Sequence, residues 1–465
     1  MKNAYLGLGG LLLGACVATP EKELPNIVII VADDLGWGDV GFHNSDIPTP
    51  NIDRLADEGI VLNRFYVAPM CSPTRAGMMT GRYPDRYGLR HVVNRPWFDY
   101  GLDTAETTLP EVLAEAGYMH RGIVGKWHLG HSRLEYHPLQ RGFTDFYGHL
   151  NGAIDYFDHT REGQLDWHEG YETSYDEGYS TDLITREAVE FIREKWGNNP
   201  FFLYVAYNAP HSPLQAQEEY LKLVGYDETQ PPFQGGRGKG NTIRQTFSAM
   251  VANMDKGIGD ILATIDEVGI TENTLVLFFS DNGGARNLGA SNGDLRGGKL
   301  TEWEGGVRVP AVIKWPGGFA GGRITDQVTG FVDVLPTLCD LLGLEGIPGR
   351  PVDGISILPV LRSETEEIDR NFYLGCGAIV NSDWKLIRKE AIRGLSRMRI
   401  NEDMLFAIGT DPNEITNVRD QYPDVYRELL ETLSVYDGIV PTMTPPPDIK
   451  PPDFVPPKEW KIEKN

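Results

Sequence analysis

Several apolar runs in the chain are continuous rather than alternating, and amphipathic helical patterns separate them. The runs occupy residues 27–32, 201–206, 275–279 and 309–313. A strand that is buried on both faces of a parallel sheet has this continuous pattern, whereas a half-exposed strand alternates. Helical periodicity occupies residues 51–58, 109–116, 181–195 and 243–268. The alternation predicts an α/β fold, with helices on both faces of a large mixed, mostly parallel sheet.

The pattern changes after about residue 360, where shorter elements replace the long strands and helices. Strand candidates at 372–374, 384–387 and 404–407 precede a helix near 423–433. This order predicts a smaller C-terminal α+β subdomain. The predicted division is a catalytic domain over 23–360, the subdomain over 361–440 and an extended Pro-rich tail over 441–465.

The first 22 residues have the features of an export signal followed by a linker. Lys2 supplies a positive charge, and residues 4–13 form an apolar stretch that is too short to span a membrane. The sequence Leu13-Gly14-Ala15-Cys16 resembles a bacterial lipobox, in which Cys16 becomes the lipidated first residue of the mature chain. The alternative is a plain secretory signal cleaved near Ala18. Both predict export, and the lipobox predicts a periplasmic or outer-membrane lipoprotein anchored to the membrane through Cys16.

Polar residues follow four of the predicted strands, at the point where each strand ends. They are Asp33 and Asp34, Asp281 and Asn282, Lys126 and His128, and His211. Any one of these could be an ordinary turn, because Asp and Asn favour turns. Ligands of open α/β sheets bind beyond the carboxyl ends of the strands, so four such segments together predict a site at this edge.

The acidic members of this group predict a metal site. Asp33, Asp34, Asp281 and Asn282 all offer hard oxygen ligands, and no Cys or His cluster has the spacing of a zinc site. Oxygen ligands suit Ca²⁺ or Mg²⁺. Three crowded carboxylates would repel one another unless a cation neutralised them.

A short segment, Cys71-Ser72-Pro73-Thr74-Arg75, holds the candidate nucleophile. We expect Ser72 to cap a helix whose first position is Pro73, and Gly81 to lie near the helix end. A helix N-terminus offers free N–H groups to an oxyanion. A cysteine phosphatase separates its Cys and Arg by five residues, whereas three separate Cys71 from Arg75. Taken alone, the segment remains compatible with a buried structural cysteine.

The string CSPTR is similar to the Cys-x-Pro-x-Arg motif of the type I, formylglycine-dependent sulfatases, which belong to the alkaline phosphatase superfamily. Gly81-Arg82 follows at the distance that this family shows, and the string GKWHLG at 125–130 resembles its second signature. The other strand-end residues and Lys299 also occur in the same order along the chain as in this family. The resemblance extends over about residues 25–418. The stretches 141–157 and 209–216 most resemble the N-acetylgalactosamine-4-sulfatase (arylsulfatase B) branch.

The resemblance implies an alkaline phosphatase-like fold and a nucleophile that is made after synthesis. A maturation enzyme would convert Cys71 to formylglycine, whose hydrate carries two hydroxyls. One hydroxyl would attack sulfur, and the other would expel sulfate from the covalent intermediate. One calcium ion per chain, bound by Asp33, Asp34, Asp281, Asn282 and the modified residue 71, would act as Lewis acid and template.

The resemblance also implies roles for the basic residues. Arg75 and His128 would hydrogen-bond the hydrate, with His128 as the base of the elimination step. Lys126 and Lys299 would bind the sulfate oxygens. His211 is the candidate general acid for the leaving alcohol, a role that Lys299 could share.

The predicted substrate is a sulfated carbohydrate, such as an oligosaccharide of the algal polysaccharides carrageenan or ulvan. Loops at 85–100 and 131–180 are rich in aromatic residues, His and Arg, which suit sugars and their anionic groups. The net charge of −23 argues against nucleic acid as a partner. The alternatives are a phosphate-ester hydrolase of the same superfamily and a non-catalytic glycan-binding lipoprotein.

Overall fold

The structure is a computed structural model that describes residues 24–90, 92–197, 199–375, 377–389 and 399–462. The lipobox and Cys16 lie outside the described residues, so the lipoprotein prediction stays a prediction.

The strands are β1 (Asn26–Ala32), β2 (Ile60–Leu62), β3 (Phe65–Tyr66), β4 (His120–Lys126), β5 (Asp145–His149), β6 (Thr160–Arg161), β7 (Gln164–Leu165), β8 (His168–Glu169), β9 (Glu172–Thr173), β10 (Phe201–Ala206), β11 (Thr274–Ser280), β12 (Arg308–Val309), β13 (Ala311–Lys314), β14 (Arg323–Thr325), β15 (Thr329–Gly330), β16 (Phe372–Gly375), β17 (Ala378–Val380), β18 (Lys385–Ile387) and β19 (Met404–Phe406). The α-helices are α1 (Pro50–Glu58), α2 (Cys71–Thr80), α3 (Leu109–Glu115), α4 (Ser180–Lys195), α5 (Glu218–Leu223), α6 (Ile243–Glu267), α7 (Glu304–Val307), α8 (Val334–Leu342), α9 (Leu358–Leu361) and α10 (Pro423–Ser434).

The largest sheet has ten strands in the order β14-β2-β13-β11-β1-β10-β4-β5-β8-β9. Its centre, β11-β1-β10-β4-β5, is entirely parallel. Antiparallel strands flank that centre, with β13 beside β11 on one side and β8 beside β5 on the other. The predicted mixed, mostly parallel sheet is confirmed.

Both faces of this sheet are buried, and β1 shows how. Ile27, Ile29 and Val31 belong to one hydrophobic cluster, whereas Val28, Ile30 and Ala32 belong to the other. Successive side chains of a strand point to opposite faces, so a continuous apolar run is needed to fill both clusters. Helices α1, α4 and α6 contribute to the second cluster, and α2, α3 and α8 contribute to the first.

The C-terminal region forms a four-stranded antiparallel sheet, β16-β17-β18-β19, followed by α10. Leu386, Phe406 and Leu429 belong to the same hydrophobic cluster as one face of the large sheet. The C-terminal region therefore shares its hydrophobic core with one face of the large sheet instead of forming a separate core. The domain boundaries at 360 and 440 stay predictions.

Two local predictions differ from the structure. The run 309–313 was expected to be one strand, but Pro310 separates β12 from β13, because proline cannot donate a hydrogen bond to a ladder. Strand β17 was not predicted, since its three residues carry too short a pattern. Within the described part of the chain, no helix is both long enough and apolar enough to cross a bilayer.

Candidate active site

The parallel centre of the sheet brings the predicted strand-end residues to one edge. Ala32 of β1 pairs with Ser280 of β11, so Asp33 and Asp281 leave the sheet side by side. On the other side of β1, β10 leads towards His211 and β4 ends at Lys126. Every residue that the sequence placed in the active site therefore lies at the carboxyl edge of these strands, on the neighbouring α2, or, for Lys299, in the loop that precedes α7.

Three carboxylates and one amide form the acidic half of the site, and all are almost fully buried. Asn282 Nδ2 donates to Asp34 Oδ1 at 2.8 Å, and the Asp34 amide donates to Asp281 Oδ1 at 3.3 Å. Asp34 has a φ of 70°, a left-handed conformation that a non-glycine residue seldom adopts. Such local strain is typical of functional sites.

Three basic side chains meet these carboxylates. Lys126 Nζ donates to Asp33 Oδ2 at 2.5 Å, and Lys299 Nζ donates to Asp34 Oδ1 at 2.5 Å. Arg75 contacts Asp281 Oδ2 through Nε at 2.9 Å and through Nη2 at 2.7 Å. Each carboxylate therefore has a cation beside it, in a part of the protein that excludes water.

The donor set fits a hard divalent cation. Asp33 Oδ1 and Asn282 Oδ1 are buried and have no hydrogen-bond partner among the described residues. Buried polar atoms are almost always satisfied, so two orphan oxygens beside carboxylates indicate a missing ligand. Ligand atoms of Asp33, Cys71 and Asp281 lie within 4.8 Å of one another, as do those of Asp33, Asp34 and His211. Oxygen atoms dominate the set, which suits calcium better than zinc.

Helix α2 begins at Cys71 itself, with Met70 as its N-cap residue. The prediction that Ser72 caps the helix and Pro73 takes its first position was wrong by two residues. Ser72 Oγ instead donates to the His128 carbonyl at 3.1 Å and lies 3.2 Å from His128 Nδ1. The predicted helix end is confirmed, because Gly81 takes the left-handed conformation at the C-cap.

His128 is held directly against Cys71. Its Nδ1 lies 3.3 Å from Cys71 Sγ, and its Nε2 lies 3.0 Å from the Asn94 carbonyl oxygen. A Cβ atom at Gly152 would lie 2.3 Å from His128 Nε2, so this position admits only glycine. The ring is therefore fixed between α2, the segment at Asn94 and the loop at Gly152.

The pKa values of Cys71 and His128 indicate neutral side chains. Burial raises the pKa of the Cys71 thiol, against the opposing charges of Lys126 and Lys299. Burial lowers the pKa of His128 well below its usual range, and the charge of Lys126 adds to this shift. A cysteine phosphatase needs a lowered thiol pKa, so the environment of Cys71 argues against that chemistry.

His211 lies close to Asp34. Its Nε2 is 3.8 Å from Asp34 Oδ2, and its Nδ1 is 2.6 Å from the Ser212 carbonyl oxygen. Burial lowers the pKa of His211 to about 3, with the Lys299 charge adding to the shift and Asp34 opposing it. The negative charge of a bound sulfate would favour the protonated ring.

Three residues of the site escaped sequence reasoning. Tyr204 lies within an apolar strand and places its hydroxyl 3.1 Å from Arg75 Nη1. Ser72 positions His128 through its hydroxyl, and Asn94 does so through its backbone carbonyl. The position of Ser72 next to Cys71 in the sequence could have indicated its role. The role of Asn94 could not be predicted from its residue type, because the contact is made by a backbone carbonyl that every residue has.

Comparisons with known proteins identify similar chains. Residues 25–344 match the family model described as Sulfatase. N-acetylgalactosamine-6-sulfatase of Mus musculus is 36% identical over 371 residues, covering 74% of this chain and 68% of the relative. Arylsulfatase J of Mus musculus is 32% identical over 483 residues, covering 92% of this chain and 79% of the relative. The crystal structure of Ps i-CgsB is 30% identical, with a TM-score of 0.79 and coverage of 90% of this chain and 93% of that one.

Proposed function

The chain belongs to the sulfatase family, and from this premise we propose that it hydrolyses a sulfate ester of a sulfated carbohydrate, through formylglycine made from Cys71 and with one bound calcium ion. Hydrolysis of sulfuric esters is the activity of its named relatives. The observation that carries the proposed mechanism is Cys71, which lies at the first position of α2 with His128 Nδ1 3.3 Å away.

The residues around Cys71 would have different roles in the reaction. Formylglycine would supply a nucleophilic hydroxyl at residue 71, and calcium held by Asp33, Asp34, Asp281 and Asn282 would supply Lewis acidity. His128 is neutral and lies beside residue 71, so it is suited to accept a proton there. Arg75 keeps Asp281 in place through two short contacts.

Lys126 and Lys299 would bind the sulfate oxygens. Each is now paired with one carboxylate, Lys126 with Asp33 and Lys299 with Asp34. A calcium ion would satisfy those carboxylates and leave both ammonium groups to the anionic substrate. Donors that face developing negative charge in a dry site contribute about 10²- to 10³-fold each to the rate.

We expect His211→Ala to slow hydrolysis in proportion to how poor the leaving group is. A general acid matters most for a sugar alcohol, whose alkoxide is a very poor leaving group, and least for a nitrophenol. The variant should lose about 10²- to 10⁴-fold in kcat on a sulfated sugar and much less on 4-nitrophenyl sulfate. Equal losses on both substrates would assign His211 to sulfate binding instead. His43→Ala, which changes a histidine bonded to the Trp37 carbonyl, is the matched control.

The carbohydrate part of the proposal is supported by the relatives and by the loops. The relatives include N-acetylgalactosamine-6-sulfatases, and one similar structure is Ps i-CgsB in complex with k-i-k-neocarrahexaose. An oligosaccharide of an algal galactan such as carrageenan is our first candidate, ahead of ulvan. The resemblance to the 4-sulfatase branch remains a hypothesis, so both 4- and 6-sulfates of galactose-type sugars are to be compared.

A substrate panel tests this proposal. It contains sulfated galactan and glycosaminoglycan oligosaccharides, 4-nitrophenyl sulfate and 4-nitrophenyl phosphate, all at one calcium and salt concentration. We expect kcat/KM to be highest on a sulfated oligosaccharide, because contacts with the remote part of a sugar help to orient the ester. Better activity on the aryl sulfate than on every oligosaccharide would contradict carbohydrate specificity. A preference for the phosphate ester would favour the phosphatase alternative.

We also propose that the chain is exported and anchored through a lipid on Cys16, as the sequence at 13–16 predicts.

A further inference from the structure

One wall of the active-site cleft contains polar groups that the proposed mechanism does not use. Two segments contact His128, one at 94–97 through the Asn94 carbonyl and one at 150–161 through the Leu150 carbonyl. The Asn94 carbonyl oxygen lies 3.0 Å from His128 Nε2, and the Pro96 carbonyl oxygen lies 3.2 Å from His131 Nε2. Tyr156 of the second segment donates to the His211 carbonyl at 2.8 Å. The wall therefore runs between the two histidines of the site.

Several buried polar atoms on this wall have no partner among the described residues. They are both side-chain polar atoms of Asn94, Trp97 Nε1, His131 Nδ1 and Arg161 Nε. Asn94 is 2% exposed, so water at the surface does not satisfy its amide. Buried polar atoms without partners indicate a place for a polar ligand, and Asn94 connects this set to His128.

Arg161 gives this wall its charge. It lies at the end of β6 and is half-buried, and its guanidinium makes no hydrogen bond or ion pair with any described residue. The two acidic residues that act on Arg161 make their direct contacts with other groups. Glu162 forms an ion pair with Lys450 at 2.8 Å. Asp166 accepts hydrogen bonds from the Leu150 and Asn151 amides and contacts His168. The charges of Glu162 and Asp166 thus act on Arg161 only from a distance, and its guanidinium has no direct ion pair among the described residues.

The backbone that carries Arg161 is fixed by the C-terminal tail. Trp460 Nε1 donates to the Arg161 carbonyl at 2.8 Å, and the Trp460 amide donates to the Leu165 carbonyl at 2.9 Å. The Trp460 ring also contacts His131 edge-on, with a centroid distance of 5.4 Å. The strand that carries Arg161 therefore loses little backbone freedom on binding, which favours recognition of an anion.

Resting on the proposed function, we propose that Arg161 is a specificity-determining residue, which binds a second anionic group carried by the sugar next to the sulfate ester that is hydrolysed. That group is a sulfate or a carboxylate, both of which suit a planar guanidinium. Asn94 and His131 supply the neutral hydrogen bonds of the same subsite.

The experiment compares three oligosaccharides that share one scissile sulfate ester. In the first the neighbouring sugar is neutral, in the second it carries a sulfate, and in the third it is a uronic acid. We expect the wild-type enzyme to prefer one of the two dianionic substrates by at least about tenfold in kcat/KM, since a hydrogen bond to a charged group contributes this much. The preferred arm identifies which anion the subsite takes.

Arg161→Ala is expected to reduce kcat/KM on the preferred dianionic substrate by about 10- to 100-fold more than on the monosulfated one, mainly through KM. Arg161→Lys should recover part of the loss. Arg193→Ala controls for the change in net charge. Arg193 is an exposed arginine on α4 that pairs with Glu267 of α6, so its replacement should leave all three activities unchanged.

Four results would overturn the inference. One is a wild-type enzyme that prefers the monosulfated substrate; this test does not depend on whether a variant folds. Another is an equal loss on all three substrates in Arg161→Ala, which would assign a structural role. A third is a wild-type enzyme that cleaves only aryl sulfates, which would overturn the carbohydrate proposal as well. Activity on oligosaccharides without any Arg161 dependence overturns this inference alone.

Discussion

Cys71→Ala is expected to lose almost all hydrolysis of sulfate esters, with a fall in kcat of about 10⁴- to 10⁶-fold, the range for removing a covalent nucleophile. The side chain lies at the start of α2, where His128 Nδ1 contacts its sulfur and carboxylates approach from the strand ends. Alanine removes the thiol that the proposed maturation requires and leaves the helix intact. The measurement is the turnover of a sulfated oligosaccharide and of 4-nitrophenyl sulfate.

Cys339→Ala is the matched control for this variant. Cys339 is also a free, buried cysteine, but it lies in α8 within the hydrophobic core. Its replacement should lower the free energy of unfolding slightly and leave kcat unchanged. Substantial turnover in Cys71→Ala would show that residue 71 is not the nucleophile.

Asp281→Ala is expected to reduce kcat by at least about 10³-fold, because one side chain serves two functions. Its carboxylate belongs to the oxygen set that fits calcium, and it also holds Arg75 through contacts of 2.9 and 2.7 Å. Burial raises the pKa of Asp281 to about 6, and the nearby Asp33 adds to this shift. A bound cation would remove this repulsion, so losing Asp281 should also weaken metal binding.

Elemental analysis provides a readout that is independent of activity. We expect about one calcium per wild-type chain, and less in Asp281→Ala, as for a site with hard oxygen ligands. Asp255→Asn is the control, since Asp255 is buried but accepts from the amides of Asn51 and Ile52 at the start of α1. It should lose stability and keep its calcium. Stoichiometric zinc that activity requires would contradict the calcium assignment.

The parallel centre of the fold could be predicted because its strands fill two cores at once. The continuous runs of β1, β10 and β11 reflect burial on both faces, and the helices between them have clear periodicity. The antiparallel additions were harder to predict. β17 has three residues, and Pro310 divides a run that looks continuous in the sequence.

The site could be predicted wherever its chemistry depends on residue type at the end of a strand. Asp33 and Asp281 follow β1 and β11 directly, so the register of the sheet brings them together. Tyr204 could not be found in this way, because a tyrosine within an apolar strand is indistinguishable from a core residue. The contacts of Asn94 and Gly152 with His128 depend on how long loops fold back, which no local pattern encodes.

The net charge of the chain does not predict the charges of the buried side chains in the active site. A charge of −23 describes the surface of the chain, whereas Arg75 and Lys126 are almost fully buried and Lys299 is mostly buried. An acidic protein can therefore keep buried cationic groups for an anionic substrate, because local charges dominate at short range in a site that excludes water.

Peptide mass spectrometry of the active enzyme tests the central claim most directly. In protein purified from its natural host, or made together with a formylglycine-generating enzyme, residue 71 should carry an aldehyde in place of the thiol, and activity should rise with the modified fraction. Protein that contains only unmodified Cys71 should fold and be nearly inactive. Full activity with an unmodified thiol at residue 71 would contradict the account.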